Sequence, residues 1–88
     1  MVLELFKSSN CPFSPRAIRI AQSVVSSHTN VLLRIVDVKH NQMRAKEMCI
    51  TAVPTLVFNN EVIYIGTPTV DELDAALNAV ITRQPPCT

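Results

Sequence analysis

Residues 2–21 read VLELFKSSNCPFSPRAIRIA, and the apolar period changes part-way along them. Val2 to Phe6 is a short apolar segment with a β-branched start, and the polar run Lys7-Ser8-Ser9-Asn10 ends it. That pattern predicts a strand running into a loop. From about Pro12 onward, Ala17, Ile20, Ala21, Val24 and Val25 recur at helical spacing until Ser26-Ser27-His28-Thr29-Asn30 closes the segment. Pro15 falls in the first helical turn, where a missing N–H costs little. A strand, a loop carrying Cys11 and a helix therefore follow one another directly.

Beyond this unit, Val31 to Val38 is rich in Val, Leu and Ile and predicts a second strand. Two strands flanking a helix of this length form a right-handed unit with parallel strands. Asn41 offers an N-cap for a short helix through about Met48. Thr55 to Phe58 and Glu61 to Ile65 are brief strands joined by Asn59-Asn60, and asparagine tolerates the positive φ of a type I′ hairpin turn. Thr69 and Glu72 have capping-box spacing ahead of a stripe of Leu73, Ala76, Leu77, Val80 and Ile81. Pro85-Pro86 stops that last helix. The order β-α-β-α-β-β-α predicts one α/β domain over residues 1–84, with a four-stranded mixed sheet and helices on both faces. Residues 85–88 are expected to be a loose tail.

Composition narrows the function classes. Eighty-eight residues suffice for one core and not for two. The hydrophobic fraction of 48% fits a packed globule, and a net charge of +1 with scattered basic residues gives no footprint for nucleic acid. No tryptophan, one tyrosine and three phenylalanines leave no base-stacking platform. The apolar runs are too short to span a bilayer, and Glu4 interrupts any leader pattern, so a cytoplasmic, reducing setting is expected. The three cysteines, Cys11, Cys49 and Cys87, are too few and too widely spaced for a disulfide scaffold. His28 and His40 stand apart from any cysteine cluster and are expected to face water rather than hold a metal. Met43 and Met48 read as core fillers, Cys49 beside Met48 as packing with a resolving role as its alternative, and Cys87 as incidental.

A cysteine just ahead of a helix has the physical setting for reactivity. The helix N-terminus carries about +0.5 of a charge and favours an anion by roughly 0.3–2 kcal/mol. The Cys11 thiol is therefore expected below its ordinary value, and Arg16 adds to this if it faces the loop. The thiolate so formed is both a nucleophile and a good leaving group in thiol–disulfide exchange. A second element is Val53-Pro54-Thr55. A proline directly before a strand accommodates a cis bond and turns the backbone sharply, offering the Val53 backbone to an extended substrate. Phe13 is expected as an exposed platform in the reactive turn, beside Pro12.

Leu3-Glu4-Leu5-Phe6 leading to Cys11-Pro12-Phe13-Ser14, then Ala52-Val53-Pro54-Thr55 and Ile65-Gly66-Thr67-Pro68-Thr69, resemble the small archaeal thioredoxins, which are glutaredoxin-sized members of the thioredoxin superfamily. The resemblance runs from about Val2 to Ile81. It implies a thioredoxin fold, a cis-proline at Pro54 and an attacking cysteine at Cys11. It also implies disulfide-containing protein substrates, a thiol reductant or reductase as partner with glutathione as one candidate, no cofactor, and a monomer. The chain departs from that pattern at Ser14, where the family has the second cysteine of Cys-x-x-Cys, either as a natural monothiol form or as a substitution that traps partners. Leu5 and Asn10 replace the buried aspartate and the tryptophan of larger thioredoxins. Ser8 stands where glutaredoxins carry a glutathione-contacting lysine, and their Gly-Gly pair is reduced to Gly66-Thr67.

The favoured reading is a thiol–disulfide oxidoreductase acting through Cys11 by mixed-disulfide exchange, with Ser14 in the resolving position and Pro12, Phe13, Val53 and Pro54 contacting substrate. The alternative is a redox-silent binding module that uses the same groove. An iron–sulfur carrier ranks below both, because Pro12 replaces the glycine of the Cys-Gly-Phe-Ser motif of monothiol glutaredoxins.

Overall fold

A computed structural model describes residues 1–10 and 12–83. The elements are β1 (Val2–Lys7), α1 (Ser14–Val25), β2 (Leu32–Asp37), α2 (Gln42–Glu47), β3 (Thr55–Phe58), β4 (Glu61–Ile65) and α3 (Val70–Arg83). The expected tail, residues 85–88, lies outside the described residues, as does Cys87.

The strands form one sheet in the order β2-β1-β3-β4. β1 pairs in parallel with β2, as a strand–helix–strand crossover requires, and antiparallel with β3. β3 and β4 pair antiparallel through the Asn59–Asn60 turn, where φ is +52° and +64°. Those two left-handed residues match the twist of the strands they join. This is the α/β architecture expected, with a thioredoxin fold.

Period-2 alternation divides β1 and β3 between two cores. Leu3, Leu5, Leu56 and Phe58 face α1 and α3, meeting Ala17, Ala21, Val24, Leu73, Leu77 and Val80. Phe6, Val36 and Val57 face the other way, covered by Val38, Ala45, Met48 and Ile50. The second cover is thin because α2 has only six residues and buries none completely. Met48 thus fills the core as expected, whereas Met43 is 81% exposed, since a helix this short has one inward side only.

Glu4 occupies the centre of β1 on the α2 side and is buried. Its carboxylate accepts two hydrogen bonds from Arg44 of α2, at 3.2 and 2.5 Å, and Arg44 also reaches Asn60 Oδ1 at 2.7 Å. The Glu4 hydrogen bonds hold the Arg44 guanidinium further toward its charged form than usual. On the opposite side, Asp74 of α3 takes His28 Nε2 at 2.8 Å, so His28 is half-buried between α1 and α3 rather than water-facing.

The capping box at α3 forms in full. Glu72 N donates to Thr69 Oγ1 at 3.1 Å, and Thr69 N donates back to Glu72 Oε1 at 2.9 Å. The Thr69 N–H, and after it the Thr69 hydroxyl, hold the Glu72 carboxyl below its usual range. Thr69→Ala is expected to cost about 1 kcal/mol, read as a shift of the urea midpoint with unchanged slope. A shift within error would mean that the α3 start is held by its packing alone.

Candidate active site

Residues 8–13 carry the chain from β1 to α1. Cys11, the expected nucleophile, lies outside the described residues. Its neighbours Pro12 and Phe13 are exposed, Phe13 by 62%. Ser14 opens α1 and is only 3% exposed, because the first helical turn folds it against the sheet. Among the described residues its Oγ has no hydrogen-bond partner. The first turn of α1 holds no acidic residue, so nothing there offsets the positive helix end.

The segment leading into position 11 is fastened from β2. Asp37, the last residue of that strand, accepts Ser9 Oγ at 3.0 Å and Lys39 N at 2.9 Å, with Lys7 Nζ at 3.9 Å. The Lys39 N–H and then the Ser9 hydroxyl hold the Asp37 carboxyl below its usual range. Sequence reading missed this anchor. Its one signal was an acidic residue closing an otherwise apolar strand beside the strand that bears the loop.

Facing the turn, the Val53–Pro54 peptide bond is cis. Pro54 O accepts Gly66 N at 2.8 Å, and Thr55 Oγ1 donates to Ala52 O at 2.6 Å. Gly66 has φ +104°, a conformation that side-chain-bearing residues rarely adopt. Phe13, Val53, Pro54, Gly66 and Thr67 line a shallow pocket of about 330 Å³. The buried Thr67 Oγ1 has no hydrogen-bond partner among the described residues. Of the expected site residues, Phe13, Val53 and Pro54 are thus brought together, Pro12 stands in the same turn outside that lining, and Ser14 is buried.

Cys49 is elsewhere. It follows α2 with φ +55° and is exposed, so it is not the packed residue its apolar neighbours implied.

Comparison with known proteins agrees with this geometry. The family described as the thioredoxin domain matches residues 1–78. The thioredoxin of Methanocaldococcus jannaschii is 37% identical over 76 residues, covering 85% of this chain and 89% of the relative. The chain belongs to the thioredoxin family. A probable thioredoxin of Methanothermobacter thermautotrophicus is 29% identical over 77 residues, 86% of this chain and 91% of the relative. In fold, the chain is similar to thioredoxin 1 of Thermosipho africanus, with a TM-score of 0.75 at 16% identity over 93% of this chain and 96% of that one. It is also similar to the reduced desulfothioredoxin of Desulfovibrio vulgaris, with a TM-score of 0.78 at 23% identity over 89% and 79% of the two chains. The family is one of thiol–disulfide oxidoreductases working on disulfide substrates. Among the described residues no helix is long and apolar enough to cross a membrane.

Proposed function

We propose that this thioredoxin-family chain exchanges disulfides through Cys11 alone and holds its substrate as a mixed disulfide. The observation that carries this reading is the pocket in which Phe13, from the Cys-Pro-Phe-Ser turn, meets Val53 and Pro54. An exposed aromatic ring beside that turn suits an extended segment bearing a disulfide. The acid-free start of α1 favours a thiolate at Cys11, three residues ahead of it in the chain.

In the forward step the Cys11 thiolate attacks one sulfur of the substrate disulfide. A Cys11–sulfur bond forms, the substrate S–S bond breaks, and the other substrate sulfur leaves as a thiolate with the electron pair. Release requires a second thiolate. The hydroxyl of Ser14 is un-ionised near neutral pH and does not displace a thiolate, so an external thiol, glutathione being one, must attack the mixed disulfide instead. In that reaction Pro12, Phe13, Val53 and Pro54 position the substrate, and the chain acts as a monomer in a reducing compartment such as the cytoplasm.

Incubation with a model disulfide, followed by mass spectrometry of intact protein and peptides, tests this. A Cys11 adduct is expected to accumulate and persist until thiol is added, and Cys11→Ser is expected to abolish it. Rapid loss of the adduct with formation of a Cys11–Cys49 bond would overturn the stalled state. Absence of any adduct above the rate of a free cysteine peptide would leave a redox-silent binding module.

A further inference from the structure

α1 presents Ala17, Ala21 and Val24 to the core and leaves Arg16, Arg19 and Ser23 outside. Residues three apart share a helix face, so the two arginines stand along one side of it. Opposite them, the segment Thr67–Val70 leads into α3. Between these walls lies a groove of about 710 Å³ lined by Phe13, Arg16, Arg19, Thr67, Pro68 and Val70, among others. Phe13 and Thr67 also line the pocket at Pro54, so the two depressions adjoin.

Among the described residues no ion pair compensates the charge in this groove. Neither Arg16 nor Arg19 joins an ion pair or side-chain hydrogen bond among the described residues, whereas Arg44 is held by Glu4 and Arg83 by Glu61. The nearby Glu72 is committed to Thr69 N and to the Tyr64 hydroxyl. A guanidinium presents a planar fork of donors that matches a carboxylate.

We infer that this groove docks an extended polypeptide segment that carries carboxylate side chains beside its disulfide cysteine, with Arg16 and Arg19 as the specificity-determining residues. The inference rests on the exchange reading above and names its substrate class. A polypeptide is favoured by the span. Arg19 lies about 9 Å along the helix from Phe13 at the helical rise, about three residues of an extended strand. The acidic side chains therefore fall within about three or four residues of the reacting cysteine. Two exposed charges act chiefly on encounter rate and choice of partner, and salt screens them.

The test uses peptides of equal length with either Asp/Glu or Lys at three positions beside one central residue. That residue is a cysteine, as a mixed disulfide with 2-mercaptoethanol, for exchange rates, and a serine for binding by fluorescence anisotropy. At about 20 mM salt the acidic peptides are expected to react and bind about tenfold better than the basic ones, falling to within about twofold at 0.5 M. Within the Arg16→Glu/Arg19→Glu variant the order is expected to invert, and within Arg16→Lys/Arg19→Lys it is expected to hold. Equal binding of acidic and basic serine peptides at low salt would overturn the inference. So would an unaltered preference in the glutamate variant. If oxidised glutathione shows the same arginine dependence as the acidic peptide, the groove serves a small carboxylate ligand and the polypeptide assignment fails. The neutral disulfide of 2-mercaptoethanol reads exchange separately. Failure there, with acidic serine peptides still preferred, rejects the exchange reading and keeps the groove. Success there, with both peptides alike, does the reverse.

Discussion

A Ser14→Cys variant is expected to reduce insulin, with a dithiol as electron source, at least about a hundredfold faster than the chain as it stands. The reason is the molecularity of release. With serine at position 14 the mixed disulfide waits for an external thiol at millimolar concentration. A thiol on the first turn of α1 attacks the Cys11 sulfur within the same molecule, and well-oriented intramolecular nucleophiles reach effective concentrations of about 10⁵ M or more. The new Cys11 disulfide then passes its electron demand to the dithiol, so the cycle closes. A second consequence separates this from a general effect on the fold. Ser14 is buried with a hydroxyl that has no partner among the described residues, which costs about 1–3 kcal/mol, whereas cysteine is at home in such a place. The variant should therefore be more stable in its reduced form, by about 1 kcal/mol, with a melting temperature several degrees higher. An increase in insulin reduction below about threefold, in a variant that is equally folded, would mean that position 14 does not reach the mixed disulfide.

Local patterns carried most of the fold. The Asn59–Asn60 pair announced a turn needing two left-handed residues, and both adopt them. Thr69 and Glu72 announced a reciprocal cap, and both hydrogen bonds form. The stripes of α1 and α3 could be read because each helix is long enough to repeat its period against one core. α2 is only six residues long, so one methionine of its segment reaches the core and the other does not. What the sequence concealed are side-chain pairs between distant segments. Ser9 meets Asp37 across 28 positions, and His28 meets Asp74 across 46. No periodicity encodes such partners, because each residue taken alone looks like an ordinary surface group. The candidate site was legible in its Phe13, Val53 and Pro54, which adjoin motifs, and illegible in Arg19, which looks like any helix-surface arginine until the α3 approach is seen opposite it.

The same blindness hid Glu4, and its removal from water sets the last expectation. Glu4 lies in the central strand between Arg34 of β2 and Val57 of β3, with 6% of its surface exposed. A carboxylate so placed is tolerated because Arg44 meets it with two hydrogen bonds from across 40 positions. Arg44→Met is expected to destabilise the protein by about 3 kcal/mol, because it leaves a buried charge without its partner. That is a large part of the total stability of a domain this size, about 5–13 kcal/mol. Replacing both members, as in Glu4→Leu/Arg44→Met, is expected to recover most of the loss, since an apolar pair of similar volume avoids the desolvation that the ion pair must offset. Arg44→Lys should fall between the two, keeping the charge and losing the two-pronged contact. Asn60→Gly, which removes the side-chain acceptor and adopts the +64° φ of that turn residue freely, serves as the control for the other hydrogen bond of Arg44, and it should cost well under half of the Arg44→Met effect. Urea unfolding of the four variants gives all of these differences directly. A loss below about 1 kcal/mol in Arg44→Met would show that water reaches Glu4 once the arginine is gone. A double variant as unstable as the single one would show that Arg44 acts by fastening α2 to the hairpin turn rather than by compensating the buried carboxylate.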